Sequence, residues 1–546
     1  MHVLFYALAA GICITACSQT AERSVTKQPI SIATDFRATG IIAGSLPEVI
    51  EALNNGGISS EDLVKLYLQR IEKIDKNGPH LQAVLALNPD ALSRAKELDQ
   101  LREAGEILGP LHGVPVLLKD NIESTDRVAT TAGSLALKDN ITGRDSPLVA
   151  GLRAQGAIIL GKTNLSQWAN FRSEGSMSGW SALGGQVKNP HMLDRNPCGS
   201  SSGSGAATAA SLAAATVGTE TNGSVICPSN ANGIVGFKPT VGLVPQLHII
   251  PISVTQDTAG PMTKTVMGAA LMMNAMATTT PNTDYTAGLT KGALEGVRVG
   301  VLNFAKGESK PILDLFKAAL LDLEAAGAIL VNIDERPATP DNLGKMSYDL
   351  LKYEFKDGLN TYLASTSPEQ VTTRSLQQLI AFNQQHKEIE LSLIDQSIFI
   401  ASQAMDSLDS EGYKTALETV QKATGEDGID KLIEQFNVQV LVAPSGPVVP
   451  RIDPINGDIW PNNWPGYGGH AARAGYPHVT VPMGGVHALS VGLSFIGAKN
   501  SDANMLSYAY GYEQHSLRRL EPQYLKNAQS IPDIAEAMNA YSSAAQ

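Results

Sequence analysis

Short apolar runs alternate with longer amphipathic stretches along most of the chain. Three of these runs, at 297–302, 328–333 and 438–443, are rich in Val, Ile and Leu and have the length of strands. Residues 310–436 are rich in Leu, Lys, Glu and Gln, which favour helices. The sequence Ser-Leu-Pro-Glu at 45–48 has the form of a capping box and indicates a helix start. Strands that alternate with helices predict an α/β protein.

The apolar run at the N-terminus has a different character. Residues 3–16 are uncharged and too short for a membrane-spanning helix, which takes about 20 residues. Their length is that of a signal-peptide core. The run is preceded by His2 with no Lys or Arg, so an uncleaved segment is the alternative.

The end of this run resembles a bacterial lipobox, Ile-Thr-Ala-Cys at 14–17. Cleavage before Cys17 would leave a cysteine that carries acyl chains, and two or more chains anchor a protein stably. Ser18 follows, as is typical of export to the outer membrane of Gram-negative bacteria. We therefore expect residues 1–16 to be a signal peptide, Cys17 to be lipidated, and the protein to be exported to the periplasm or outer membrane.

Charge and motifs exclude several classes of partner. The formal net charge is -12 at pH 7 and no basic cluster occurs, which argues against binding to nucleic acid. No CxxC, HExxH or P-loop pattern is present, so the sequence implies neither a metal nor a nucleotide cofactor.

A run of small residues from 198 to 228 contains Ser200 and Ser224, each of which follows a glycine at an expected turn. Such a run cannot form a bulky core, so we expect close approach of its backbone to other groups. A serine nucleophile needs a base and an oxyanion hole. No GxSxG sequence surrounds either serine, which disfavours an α/β-hydrolase elbow. The base could be one of the ten histidines or a lysine.

One lysine stands where strong desolvation is expected. The apolar run 114–118 predicts a buried strand that ends at Lys119. Burial lowers a lysine pKa by as much as about 3 to 5 units, enough to give a neutral amine near pH 7. Lys119 is therefore a candidate general base. Lys162 also follows an apolar run and is the rival, and a solvated surface lysine is the alternative interpretation of Lys119.

Three segments together resemble the amidase signature family: GVPVLLKDN around Lys119, CGSSSGSG around Ser200 and GTETNGSVICP around Ser224. Further similar segments, between about residues 45 and 515, are TTAGS at 130–134, GAIILGKTNLSQWANF at 156–171, GIVGFKPTVGLVP at 233–245 and AGYPHVTVPMG at 474–484. The resemblance implies an α/β fold with a large central mixed β-sheet and helices on both faces.

The resemblance also implies roles for these residues. Ser224 would be the nucleophile, and Ser200, after a cis peptide bond, would relay a proton between Ser224 and Lys119. The backbone N–H groups of residues 221–224, which are Thr221, Asn222, Gly223 and Ser224, would form the oxyanion hole. Ser201 and Asp120 would support the site, and no cofactor is implied.

The chain departs from the common family pattern at three positions. Asn222 replaces a frequent glycine, Glu220 a frequent aspartate and Gln167 a frequent glutamate. No catalytic side chain is lost by these changes, because an oxyanion hole uses backbone N–H groups.

Two runs, 168–171 and 253–261, resemble the branch of bacterial peptide amidases, which hydrolyse C-terminal carboxamides. Cys227 is small and neutral where an arginine can stand in relatives that act on carboxylate-bearing substrates, so we expect it to contact a neutral amide substrate. Within the family, an aryl or fatty amide or ester hydrolase is the alternative. The glutaminase subunit of a tRNA-dependent amidotransferase and a non-catalytic peptide-binding lipoprotein are further alternatives.

The resemblance and the lack of linkers favour one large catalytic domain. After a polar tether at 17–40, no Pro/Gly-rich linker or repeat divides the chain. We expect the catalytic domain to occupy 41–546, with 310–436 as a helix-rich region that covers the substrate. We expect no obligate protein partner.

The cysteines leave one question open. Removal of the signal peptide would take Cys13, and lipidation would occupy Cys17, which leaves Cys198 and Cys227. Two buried free thiols are the expectation, since free cysteine behaves as a small apolar residue. A disulfide formed in an oxidising compartment is the alternative.

Overall fold

The computed structural model describes residues 36–539. The expected signal peptide at 1–16, the lipidated Cys17 and the tether up to residue 35 lie outside the described residues. None of the helices within 36–539 has the length and hydropathy needed to cross a bilayer.

An 11-stranded sheet forms the centre of the fold, with the strand order β1-β3-β2-β6-β8-β7-β12-β13-β11-β9-β10. β2 pairs in parallel with β3 and β6, β9 pairs in parallel with β10 and β11, and the other six pairings are antiparallel. Strands β4 and β5 form a separate hairpin. The strands are β1 Val84–Leu87, β2 Pro115–Lys119, β3 Ile158–Thr163, β4 Trp180–Ser181, β5 Gly185–Gln186, β6 Ala215–Glu220, β7 Val235–Lys238, β8 Thr258–Thr263, β9 Arg298–Leu302, β10 Ile329–Ile333, β11 Val440–Pro444, β12 His478–Val486 and β13 Leu489–Ile496.

Helices flank this mixed sheet, as expected for the fold. They are α1 Leu46–Asn54, α2 Ser60–Arg70, α3 Ala91–Glu103, α4 Pro147–Ala154, α5 Ser202–Ala209, α6 Ile226–Asn232, α7 Val266–Met276, α8 Lys310–Ala325, α9 Leu343–Ser365, α10 Leu376–Gln385, α11 Lys387–Glu390, α12 Ser397–Gln403, α13 Glu411–Thr424, α14 Lys431–Phe436, α15 Gly468–Ala474, α16 Asp502–Ser516 and α17 Pro532–Met538. The capping box predicted at Ser45 and Glu48 starts α1. The three apolar runs predicted as strands are β9, β10 and β11.

Strands β2, β3, β6 and β8 are buried at every residue. A strand that is covered on both faces can carry few polar side chains, because each would lose its hydration. This explains the continuous apolar or small-residue sequence of these strands. A lysine in such a strand loses its hydration, and β2 and β3 each contain one, Lys119 and Lys162.

Residues 310–436 contain strand β10 and helices α8 to α14. Side chains of α9, α10 and α12 form an apolar cluster with Trp168, Phe171, Ile250 and Ile252. This places the region against segments that flank the serine-rich run. Its role in covering a substrate stays a prediction.

Candidate active site

Lys119, the last residue of β2, lies at the centre of the site. Its Nζ donates hydrogen bonds to Ser200 Oγ at 2.8 Å, to Thr219 Oγ1 at 2.8 Å and to the Thr219 carbonyl oxygen at 3.2 Å. The side chain is fully buried, and Thr219 belongs to the neighbouring strand β6. The strand pairing therefore holds the amine against one of the two candidate serines.

Burial lowers the pKa of Lys119 to about 7, although the charges of Asp257 and Glu220 act in the opposite direction. An amine with this pKa is partly neutral at neutral pH, whereas a solvated lysine is almost fully protonated. The desolvation expected for a lysine at the end of a core strand is thus present, and the surface-lysine interpretation is wrong.

The segment around Ser200 packs closely against neighbouring backbone. The Gly199–Ser200 peptide bond is cis, and α5 begins at Ser202. A Cβ at Gly203 would lie 2.3 Å from the Asn164 carbonyl oxygen, which leaves room only for glycine. The close approach expected for the small-residue run is therefore found.

Ser224 lies in the loop between β6 and α6, beside Ser201. The Ser201 N–H donates to the Ser224 carbonyl oxygen at 3.2 Å, and the Ser201 hydroxyl donates to the Thr219 carbonyl oxygen at 3.0 Å. Ser201 therefore connects the nucleophile candidate to the strand residue that also binds Lys119. Ser224 is 9% exposed, whereas Lys119 and Ser200 are 0% exposed, so Ser224 is the most accessible of the three residues.

The Ser224 hydroxyl makes no hydrogen bond to any residue within 36–539, Ser200 included. In unliganded enzymes, catalytic hydrogen bonds are often long and tighten only in the complex with substrate. The backbone contact between Ser201 and Ser224 nevertheless holds the two candidate serines in neighbouring segments.

The loop from Thr221 to Ser224 has the properties that an oxyanion hole requires. Gly223 has a φ of +87°, a conformation that glycine adopts without strain. The Glu220 carboxylate accepts hydrogen bonds from the N–H groups of Val225 at 2.8 Å and Ile226 at 2.9 Å and so fixes the start of α6. In the described part of the chain, the N–H groups of residues 222–224 have no acceptor, so they are free to bind a developing oxyanion.

Asp257, which was not among the site residues predicted from the sequence, holds the other side of this loop. Its carboxylate accepts from Thr221 Oγ1 at 2.5 Å and from the N–H groups of Ile252 at 2.7 Å and Ser253 at 2.9 Å. Burial raises its pKa to about 6. Asp257 lies within the run 253–261 that resembles a family motif, but only the fold brings it to Thr221.

Asp120 makes no hydrogen bond to Ser200 or Ser224 in the described structure. It accepts hydrogen bonds from the Thr131 hydroxyl and from the N–H groups of Thr131 and Gly133, both at 3.3 Å. Burial raises its pKa to about 6. Asp120 therefore shapes the loop that follows β2, and any support for catalysis would act through that loop.

The rival base, Lys162, contacts neither serine. Its Nζ donates to the Ile122 carbonyl oxygen and to Thr130 Oγ1 at 2.9 Å. Burial lowers its pKa to about 8, so a lowered pKa alone does not distinguish it from Lys119. The hydrogen bond to Ser200 Oγ distinguishes Lys119 from Lys162.

Two cavities are lined in part by residues of the serine-containing segments. The larger has a volume of about 590 Å³ and is lined in part by Gly199, Asn222, Gly223 and the tryptophans Trp460 and Trp464. The smaller has a volume of about 20 Å³ and is lined in part by Ser200, Thr219, Thr221 and Asp257. The larger cavity has the volume of a small-molecule or peptide site. It reaches the loop of residues 221–224, which we call the oxyanion loop after its proposed role.

Cys198 and Cys227 form a disulfide, with 5.8 Å between their Cα atoms. The expectation of two free thiols is therefore wrong. The cysteines are 29 residues apart in the sequence, but the fold brings their backbones within the range that a disulfide spans. Both line the larger cavity, and Cys227 is half of a disulfide and not a free thiol. Its contact with a substrate stays a prediction.

Comparison with known proteins identifies the family of this chain. A profile of the amidase family matches residues 62–506, so the chain belongs to the amidase family. The crystal structure of the peptide amidase from Stenotrophomonas maltophilia is similar: it is 42% identical, the match covers 88% of this chain and 98% of that chain, and the TM-score is 0.81.

Two curated relatives are also similar over nearly their whole lengths. A probable amidase of Arabidopsis thaliana is 36% identical over 88% of this chain and 91% of its own length. A glutamyl-tRNA(Gln) amidotransferase subunit of Thermoanaerobacter pseudethanolicus is 30% identical over 89% of this chain and 99% of its own length. The family and the fold expected from the signature motifs are confirmed, and the protein is an amide-hydrolysing enzyme.

Proposed function

We propose that this enzyme cleaves amides by acyl transfer through Lys119, Ser200 and Ser224. The observation that carries the proposal is the 2.8 Å hydrogen bond between the buried Lys119 amine and Ser200 Oγ. A base of lowered pKa next to a hydroxyl is what activation of a serine nucleophile needs. The position of Ser224 beside Ser201 supports its role as the attacking residue.

In the first half-reaction, the neutral Lys119 amine takes the Ser200 hydroxyl proton while Ser200 takes the Ser224 proton. Ser224 Oγ forms a bond to the amide carbonyl carbon, and the carbonyl oxygen becomes an oxyanion held by the N–H groups of residues 221–224. The protonated lysine then returns its proton through Ser200 to the leaving nitrogen. The C–N bond breaks, ammonia or an amine departs, and an acyl-enzyme remains.

In the second half-reaction, water replaces the amine. Lys119 takes a water proton through Ser200, and the resulting hydroxide equivalent attacks the ester carbon of the acyl-enzyme. Collapse of the second oxyanion breaks the bond to Ser224 Oγ and returns the proton to Ser224. The carboxylic acid product leaves with the enzyme in its starting state.

We propose neutral carboxamides, such as peptide C-terminal amides, as the substrates. The charged residues that line the larger cavity are carboxylates, Glu174, Glu220 and Asp458, and no lysine or arginine of the described chain is among its lining residues. An unpaired substrate carboxylate beside the scissile amide would be costly there. Similarity to the peptide amidase of Stenotrophomonas maltophilia supports the same substrate class.

An activity screen tests this proposal. The soluble domain from Ser18 onwards is assayed with peptide amides, free-acid peptides, aryl amides and esters, with Ser224→Ala as the control. We expect neutral peptide amides to be favoured over substrates with a carboxylate beside the scissile amide by roughly a hundredfold in kcat/KM, which corresponds to about 3 kcal/mol. Equal rates for the two groups would overturn the substrate assignment. Turnover that persists in Ser224→Ala would overturn the nucleophile.

We also propose that the enzyme acts outside the cytoplasm, exported by residues 1–16 and anchored to the membrane through lipidated Cys17. The Cys198–Cys227 disulfide supports this placement, because structural disulfides persist mainly in oxidising compartments. An amidotransferase subunit would need a cytoplasmic complex with ATP and charged tRNA, so export distinguishes the two functions.

A further inference from the structure

Arg473 is a half-buried cation that forms no salt bridge within residues 36–539. It belongs to α15, and its Nε donates a hydrogen bond to Ser347 Oγ of α9 at 2.9 Å. Within residues 36–539, no carboxylate lies within salt-bridge distance of the guanidinium, and the Nη1 and Nη2 groups have no hydrogen-bond partner. Ser347 thus binds the Nε edge of the guanidinium, while Nη1 and Nη2 make no hydrogen bond within the described residues.

The guanidinium lies beside the oxyanion loop. Gly469, one helical turn before Arg473, lines the larger cavity together with Asn222. A Cβ placed on Gly469 would lie 3.5 Å from Arg473 Nη1 and 3.8 Å from Asn222 Oδ1. The cation and the exposed Asn222 side chain therefore border one small space above Gly469, at the edge of the cavity.

The chemistry of this group indicates what it could bind. Burial lowers the pKa of Arg473, and no nearby carboxylate opposes that change. The adjacent His470 is kept neutral, since burial and the charge of Arg473 lower its pKa to about 3. A guanidinium with free terminal N–H groups matches the two oxygens of a carboxylate, and such charge-assisted hydrogen bonds are stronger than neutral ones.

We propose that Arg473 forms a subsite for a carboxylate on the substrate, such as an Asp or Glu side chain in a peptide amide. The inference rests on the proposed peptide-amide function and adds an acidic side chain to the substrate class. A substrate carboxylate bound by Arg473 is compatible with a neutral group at the scissile amide. Cys227 and the carboxylates line other parts of the cavity, whereas Arg473 acts beside Asn222.

The test compares N-acylated peptide amides that differ in one side chain, Glu, Gln or Lys, at the penultimate or at the antepenultimate position, so that the residue beside the scissile amide stays neutral. In the wild-type soluble domain we expect kcat/KM for the Glu peptide to exceed that for its Gln counterpart by about tenfold at one of these positions, with Lys lowest. Arg473→Gln should remove the Glu preference, and Arg473→Lys should restore only part of it, because a lysine lacks the planar fork.

Two further variants separate a subsite from a general effect of charge or folding. Gly469→Ala keeps the cation but fills the space beside it, so the Glu/Gln ratio should fall while Arg473 stays in place. Arg94→Gln removes a partly exposed arginine that pairs with Glu97 on α3, and it should leave the ratio at the wild-type value.

The possible failures are distinguishable. Equal hydrolysis of Glu and Gln peptides by the wild type at both positions would overturn the subsite and leave the peptide-amidase proposal standing. A Glu preference that persists in Arg473→Gln would also overturn it. Failure of the wild type to hydrolyse any peptide amide would overturn the proposed function and the subsite together.

Discussion

The disulfide between Cys198 and Cys227 joins the segment that carries Ser200 to the helix that follows Ser224. Both sulfur-bearing side chains line the larger cavity. The covalent link therefore limits the relative movement of two residues that are proposed to exchange a proton. It also restrains the wall of the cavity that we propose binds the substrate.

Loss of this disulfide should reduce both stability and activity. A cross-link that closes a loop between residues 29 apart contributes about 3.5 kcal/mol in the chain-entropy description. We expect the Cys198→Ser, Cys227→Ser double variant to lose free energy of unfolding of this size and to show a lower kcat. Denaturant titration and steady-state kinetics measure the two effects.

Chemical reduction provides the matched control. The chain from Ser18 onwards contains only Cys198 and Cys227, so in protein that begins at Ser18 a dithiol can act at no other cysteine. Reduction should shift the wild type to the values of the double variant and leave the double variant unchanged. A reduced wild type with unaltered stability and kcat would show that the disulfide is dispensable.

Removal of any residue of the proposed relay should affect kcat far more than KM. Lys119→Ala and Ser224→Ala should each lower kcat by at least about a thousandfold, and Ser200→Ala should lower it greatly. Because the three residues act as one unit, the triple variant should be scarcely worse than the worst single variant. Single-turnover and steady-state assays with a neutral peptide amide give these values.

Lys162→Met is the comparison that distinguishes the two buried lysines. This variant removes the amine that binds the Ile122 carbonyl oxygen and Thr130, so it should lower stability but retain measurable kcat in the folded fraction. A Lys119→Ala enzyme with near-normal kcat, or a Lys162→Met enzyme that is folded but inactive, would reverse the assignment of the base.

Activity should rise with pH through the neutral range. Burial lowers the pKa of Lys119 to about 7, so the neutral amine is lost as pH falls through that value. We expect kcat/KM to fall about tenfold per pH unit on the acid side and to level off above about pH 8. A profile that instead climbs from about pH 7 to about pH 5 would point to a carboxylic acid as the proton donor.

Asp257→Asn provides a readout specific to the lysine. The Asp257 carboxylate raises the pKa of Lys119, in opposition to burial, so removal of its charge should move the acid limb of the profile to lower pH. Loss of the contact with Thr221 should lower kcat as well. A reduced kcat with an unmoved acid limb would mean that Asp257 only holds the loop.

Membrane association should depend on Cys17. Expressed with its native N-terminus in a Gram-negative host, the protein should fractionate with membranes, and Cys17→Ser should release it or block its processing. Cys13→Ser, a change within the expected signal peptide, should leave fractionation unchanged. Recovery of the wild type entirely in the cytosol would remove the export proposal and the case against a cytoplasmic amidotransferase function.

Local sequence was sufficient for much of the fold and for the candidate residues. The apolar run before Lys119 predicted β2, the capping box at Ser45 predicted the start of α1, and the alternation of runs predicted the α/β class. These features depend on residues close together in the chain. Their physical causes, burial of continuous apolar runs and satisfaction of the first N–H groups of a helix, can therefore be recognised without the fold.

Only the tertiary structure decided which lysine meets Ser200. Lys119 pairs with Thr163 across β2 and β3, whereas Lys162 pairs with Leu118. Since successive side chains of a strand point to opposite faces, the two lysines lie on opposite faces of the sheet. Both are desolvated, but only Lys119 faces the segment that carries Ser200, which is 81 residues away in the sequence.

Contacts between segments that are distant in the sequence also decided the disulfide and the positions of Asp257 and Arg473. Composition favoured free thiols, but pairing depends on the 5.8 Å between the Cα atoms of Cys198 and Cys227. The contact between Asp257 and Thr221 joins the segment before β8 to the oxyanion loop. The position of α15 brings Arg473 and Asn222 to the same space beside Gly469. Sequence determined which chemical groups this enzyme has, and the packing of distant segments decided which of them meet.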